Sequence, residues 1–151
     1  MADLFDALAA RPALARTLAA HVRALSEGSI AARTKELIAL MVGWLNACEY
    51  CTCVHEDIAR GLGVDEQTLE SLGNFATSPL FDDAERAALA ATVALTREPR
   101  ALPPAVREAL EANYDQGGRI EVLAAIGLHN YLSRLSNGLA LPAAPREITR
   151  L

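Results

Sequence analysis

A chain of 151 residues is long enough for one domain with a sizeable apolar core and too short for two. Its residues are 52% apolar and 22% charged, a balance that excludes an intrinsically disordered protein. With a formal charge of −5 and 14 scattered basic residues, the chain has no electrostatic footprint for nucleic acid or for an anionic membrane surface.

The opening "MADLFDALAARPALARTLAA" carries acidic residues where a secretory signal needs basic ones, and Arg11 and Arg16 interrupt any apolar stretch. The longest apolar run, "LIALMVGWL", is nine residues, against about twenty needed to span a bilayer. The expectation is a soluble, cytoplasmic protein with a single domain over residues 1–151. In that reducing compartment, closely spaced cysteines are read as catalytic or metal-binding before they are read as structural.

Alanine and leucine dominate and no period-two alternation persists, so the elements are expected to be helices throughout, an all-α fold. Pro12 fits the first turn of a helix running to about Leu25, ended by "SEGS". A second helix is predicted over about 31–46, with Leu37, Leu40, Met41 and Trp44 on its buried face. The cysteine segment continues as a helix to "GLG", and Asp65 caps a short helix ending near Leu72. "GNFATSPLFDD" is a loop, and Asp82 or Asp83 caps the nearly all-apolar helix "AERAALAATVALTRE". A second loop, "PRALPP", leads into "AVREALEANYD". Gly117 and Gly118 are expected to precede the last long helix, whose Ile120, Leu123, Leu128, Tyr131, Leu132 and Leu135 form one stripe. Pro142 and Pro145 punctuate the tail. A faint internal echo aligns "TKELIALMV" with "AERAALAAT" on Glu36 and Glu85.

The chemistry concentrates in "CEYCTCVH", residues 48–55, with three cysteines and a histidine in eight positions. A metal site, a redox pair with a spare thiol, and three packed thiols all remain open at this point. On one helix, Cys48, Cys51 and His55 share a face through spacings of three and four. Helical geometry separates the Cys48 and Cys51 Cα atoms by roughly 5 Å, within the disulfide range of about 4.4–6.8 Å. Cys53 points to nearly the opposite side and is assigned to packing. An imidazole beside a thiol can take its proton and leave a thiolate. Glu36, an expensive carboxylate on an apolar face, is the candidate to orient His55, although Lys35 beside it permits an ordinary solvated charge. Zinc would ask for a fourth ligand and a second ligand segment.

"E" at 36, eleven residues, then "CEYCTCVH" resembles the pattern E-x11-C-x-x-C-x-x-x-H of the alkylhydroperoxidase AhpD-like proteins, within the carboxymuconolactone decarboxylase superfamily. "NACEYC", "HEDIARGLGVDEQTLESL", "ERAALAATVALT" and "IEVLAAIGLHNYLSRLSNGL" extend the resemblance over roughly residues 15–140. It implies an all-α, AhpD-like helical domain assembling as a homotrimer or homohexamer. It further implies a thiol-dependent peroxidase acting on organic or hydrogen peroxide, with a redox-sensing or disulfide-exchange protein as the alternative. By the same resemblance Cys51 attacks the peroxide, Cys48 resolves, His55 activates the thiol and Glu36 relays protons. An external dithiol, from a thioredoxin-like or lipoyl protein, restores the pair, and no cofactor or metal is called for. Glu49 and Tyr50 stand between the cysteines, where the best-studied branch carries a histidine. His129, in "GLHNYLSR", is left between a place at the site and a role in helix packing.

Overall fold

The computed structural model describes residues 2–143. Among them the regular elements are eight α-helices and one 3-10 turn: α1 (Ala2–Leu8), α2 (Pro12–Ser26), α3 (Ala32–Leu45), α4 (Glu49–Gly61), α5 (Glu66–Glu70) running into the 3-10 turn Ser71–Asn74, α6 (Asp83–Arg97), α7 (Pro104–Asn113) and α8 (Gln116–Gly138). The expected all-α architecture is therefore observed. Pro145 lies outside the described residues. No described helix is long and apolar enough to cross a membrane.

Starts and stops follow the chain's own chemistry. Asp65, Asp82 and Asp115 each accept a backbone N–H from the first turn of their helices, at 2.8, 2.7 and 2.7 Å, and each such cap is worth about 1 kcal/mol. Asp82 is the cap of α6, and Glu85 returns its bond to complete a capping box. Glu85 also pairs with Arg33 at 2.7 Å. The residue aligned with Glu36 thus serves a helix start, and the internal echo carries no shared chemistry.

The core is organised around α3, which packs against α4, α6 and α8. Leu37, Ile38, Ala39, Leu40, Met41 and Val42 are all buried, so α3 is covered on several sides. On one side Ile38 and Val42 meet Ala88 and Ala91 of α6 and Val122 and Ile126 of α8. On another, Leu37, Leu40 and Met41 meet Ala59, Phe81 and Leu89. A third cluster joins Leu4 and Leu8 of α1 and Leu18 of α2 to Cys48, Tyr50, Cys51, Leu128 and Leu132. The cysteine segment is thus roofed by the first two helices.

The segment before Pro12, to which the sequence assigns no element of its own, is helical over Ala2–Leu8 and covers the cysteine segment. Three expectations need correction. Trp44 is 57% exposed, not buried. It falls in the last turn of α3, where its indole lies over Gly73; a Cβ there would stand 3.2 Å from Trp44 Cη2. Gly117 and Gly118 lie inside α8, in its first turn after the Asp115 cap. Finally, the α8 stripe is divided. Leu128 and Leu132 are buried, but Ile120 and Tyr131 are 61% and 47% exposed and Leu123 is exposed as well. Val122, Ala125, Ile126, Ser133 and Ser136 share the buried face with Leu128 and Leu132, where α8 packs against α3. The predicted stripe therefore meets the buried face only in its C-terminal half.

Candidate active site

The turn between α3 and α4 sets the site. Ala47 adopts a left-handed backbone conformation (φ 50°), and the Cys48 N–H then donates to Gly43 O at 2.8 Å. Side chains of α8 fix this turn. Asn46 Nδ2 donates to Asn130 Oδ1 (3.1 Å) and Ser133 Oγ (2.7 Å), and Asn137 Nδ2 donates to Asn46 O (3.0 Å). Sequence reasoning places Asn46 within "NACEYC" and assigns it no role. Its available signal is a polar residue at a helix end immediately before the cysteines.

Cys48 and Cys51 are joined in a disulfide, with Cα atoms 5.3 Å apart. The helical placement expected for Cys48 is corrected: Cys48 is the N-cap of α4, in extended conformation, and its Sγ accepts the Cys51 N–H at 3.3 Å. Sulfur at this position faces the first-turn amides at the positive end of the helix. Both cysteines are nearly covered, Cys48 at 1% and Cys51 at 8% exposure. Cys53 is the free cysteine. It is half-buried and lies on the wall of a surface cleft rather than in the core.

One turn beyond Cys51, His55 is buried. Its Nδ1 lies 2.7 Å from Glu36 Oε2, across the α3–α4 interface. A carboxylate only accepts, so Nδ1 carries the hydrogen and Nε2 is left as the basic atom. Lys35 is not the partner of Glu36; it turns the other way, to Glu121 at 2.8 Å and to Leu25 O. The structure therefore brings Glu36 and His55 into contact and places Cys51 one turn from His55.

His129 also reaches the site. From α8 its ring meets the His55 ring edge-on, with centroids 4.8 Å apart and planes at 88°. Burial first, and the neighbouring His55 second, push the His129 imidazole down to about 3. A neutral imidazole from α8 therefore stands beside His55. Among the described residues, no group of three or more His, Cys, Asp or Glu side chains is arranged to hold a metal ion.

The family model described as "Carboxymuconolactone decarboxylase family" matches residues 12–94, more than half the chain and all four residues of the motif. The chain belongs to the carboxymuconolactone decarboxylase family. Among family relatives, the uncharacterized protein YnjA of Escherichia coli is 29% identical over 110 residues, 72% of this chain and 60% of YnjA. The match therefore spans less than two thirds of that relative. Among solved structures, a protein of unknown function from Agrobacterium tumefaciens, linked in its description to the antioxidant defence protein AhpD, superposes with a TM-score of 0.85. Its identity is 25%, over 93% of this chain and 96% of that one. The debrominase Bmp8 gives the same TM-score at 26% identity, over 95% of this chain and 78% of Bmp8. One family fold thus frames different chemistries, and the activity has to be argued from the site.

Proposed function

We propose that this family member is a thiol-dependent peroxidase, with the Cys48–Cys51 pair as its redox centre. The observation that carries the reading is the disulfide at the start of α4, followed one turn later by a buried His55 held by Glu36. In the reduced protein, His55 Nε2 takes the Cys51 proton, while Glu36 stabilises the imidazolium through Nδ1–H. Cys51 Sγ attacks the outer peroxide oxygen. The O–O bond breaks, the leaving oxygen receives the proton from His55 as alcohol or water, and Cys51 becomes a sulfenic acid. Cys48, at the N-cap of α4, then attacks Cys51 Sγ. The S–O bond breaks, hydroxide takes a proton and leaves as water, and the observed disulfide results. An external dithiol, thioredoxin-like or lipoyl, reduces it again.

Self-association as a trimer or hexamer belongs to the same proposal. The support is the exposed apolar face of α8, because the apolar α6 is already covered by α3, α7 and α8 within the chain. The deciding experiment measures peroxide consumption with dithiothreitol as the electron supply, across hydrogen peroxide and organic hydroperoxides. Sustained turnover that Cys51→Ser abolishes is expected. One stoichiometric oxidation without turnover would replace the peroxidase with a redox-sensing or disulfide-exchange protein. A disulfide that does not form on peroxide treatment would remove both readings.

A further inference from the structure

Among the groups around the cysteine pair, His129 takes no part in the steps above. Leu128 and Leu132, its neighbours on α8, both pack with Cys48 and Cys51. A spacing of three puts His129 on the same side of the helix as Leu132, the side turned to the cysteines. From there its ring stands edge-on to His55, with centroids 4.8 Å apart. Glu36 already occupies His55 Nδ1. His129 therefore borders the imidazole that handles the Cys51 proton, and it does so from an element independent of α3 and α4.

The His129 ring has no bond of its own. Asn130 and Ser133, its polar neighbours on α8, are committed to Asn46, and Asn130 also to Thr96. Neither nitrogen of His129 has a hydrogen-bond partner among the described residues, although the residue is partly buried. Polar atoms held in such a place normally find a partner, and a small molecule beside Cys51 would supply one. Burial first, and His55 second, keep the ring neutral, with its pKa pushed down to about 3. A neutral imidazole keeps one nitrogen as an acceptor, whereas His55 is only a donor once it has taken the Cys51 proton.

We infer that His129 is a catalytic residue of the oxidation step: its unbonded ring nitrogen accepts the terminal O–H of a hydroperoxide and so presents the outer oxygen to Cys51. The inference rests on the proposed peroxidase and deepens it. Two imidazoles then tell the two ends of the substrate apart. His55, protonated, donates to the inner oxygen; His129, neutral, holds the outer hydroxyl. Cys51 Sγ forms a bond to the outer oxygen as the O–O bond breaks, and the O–O electron pair leaves on the inner oxygen. That oxygen takes the His55 proton and departs as alcohol or water. The outer oxygen keeps its own hydrogen in the sulfenic acid, so His129 neither gains nor loses a proton. Cys51 loses two electrons and the peroxide gains two. The substrate class is accordingly a hydroperoxide, with hydrogen peroxide its smallest member; a dialkyl peroxide has no O–H to offer.

The test sets His129→Phe against His129→Gln, because a catalytic and a packing role rank them oppositely. The first keeps an aromatic ring against His55 and removes the acceptor; the second gives up the ring and restores an acceptor. In protein also carrying Cys48→Ser, which stops at the sulfenic acid, dimedone capture at Cys51 read by mass spectrometry gives the rate with hydrogen peroxide. Losing one hydrogen bond made in the transition state should slow His129→Phe about ten-fold, while His129→Gln stays within about three-fold of the parent. Alkylation of Cys51 by iodoacetamide needs the thiolate but no acceptor for an O–H, and should agree within about two-fold in all three proteins. The opposite ranking, or parent-like oxidation in His129→Phe, would make His129 a packing residue and overturn the assignment. Should the larger ring disturb the helix, seen as altered iodoacetamide reactivity, His129→Leu removes the same nitrogen with less bulk, and parent-like oxidation there would equally overturn it. A parent whose Cys51 is alkylated yet resists hydrogen peroxide would overturn the peroxidase itself, and this role with it.

Discussion

At the scale of single residues the sharpest question is Glu36, since a carboxylate on a helix is usually only a solvated charge. Its contact with His55 Nδ1 gives it a specific role, because it fixes the tautomer that leaves Nε2 basic. Glu36→Gln keeps the shape and removes the charge. The rate of Cys51 oxidation in stopped flow should fall about ten-fold or more, because general acid–base steps are worth about 10²–10⁴-fold. Stability should change by only about 1 kcal/mol, the worth of one hydrogen bond. His55→Gln should act on the same step, and the double variant should be little worse than either single one. An undiminished rate in Glu36→Gln would remove Glu36 from the mechanism. His129 gives a second residue-scale prediction, with its sign set by proton binding. The unfolded chain protonates this imidazole near the ordinary value of about 6.5, whereas the folded chain resists until about 3. Between those values the unfolded state binds more protons, so stability falls as pH falls, by up to about 1.4 kcal/mol per pH unit from this group. The slope of unfolding free energy between pH 6.5 and 5 should be shallower in His129→Gln than in the parent. Equal slopes would show that His129 titrates normally in the folded protein.

At the scale of elements, a single carboxylate ties the α2–α3 connection to α8. Glu121 accepts from Ser29 N (2.7 Å), Ser29 Oγ (3.0 Å) and Ile30 N (3.3 Å), and pairs with Lys35 Nζ at 2.8 Å. Burial pushes its pKa up, but the bonds from Lys35, Ser29 and Ile30 prevail and hold it below the usual carboxylate range. Its stabilisation is therefore present at neutral pH and lost as pH falls through that lowered value. Breaking a buried pair costs about 3–5 kcal/mol; with the lysine still bonded to Leu25 O, Glu121→Gln should cost about 2 kcal/mol. Gly28→Ala should act through the same clamp, because its Cβ would stand 2.0 Å from Glu121 Oε1. Denaturant melts should show the two changes to be less than additive; full additivity would mean that the clamp is not shared. Nothing in "SEGS" announces this partner, which lies on another helix far along the chain. The sequence was legible where spacing is local. C-x-x-C and the histidine one turn on fix their own geometry, and the aspartate caps mark their own helices. It was illegible where two distant helices meet, as Asn46 does with Asn130 and Ser133 and as the inward face of α8 does with α3, whereas His129 could be left only between the site and helix packing. The inward face of α8 includes Ala125, Ser133 and Ser136, and a hydrophobicity pattern ranks such small residues low.

At the scale of the whole molecule, the misassigned face of α8 becomes the strongest argument about assembly. Ile120, Leu123 and Tyr131 are exposed along α8, and Leu14 of α2 is exposed beside a shallow pocket that it shares with Tyr131. Single exposed apolar residues are ordinary on soluble proteins, but several on one helix face are what a contact surface presents. A stable interface takes about 800 Å² from each partner, roughly a tenth of the 8828 Å² that the chain exposes. The exposed row calls for a partner copy, the resemblance to AhpD-like proteins sets the expected number at three or six, and light scattering coupled to gel filtration is the measurement that checks it. Ile120→Glu with Tyr131→Glu places a charge at each end of the α8 row. In a monomer both side chains would be solvated and the change nearly neutral; in an assembly they would be buried without partners. The double variant should thus lose its partners while circular dichroism shows unchanged helix content. An assembly that survives both charges would place the interface elsewhere, and a monomeric parent at micromolar concentration would leave the row without a covering partner of its own kind.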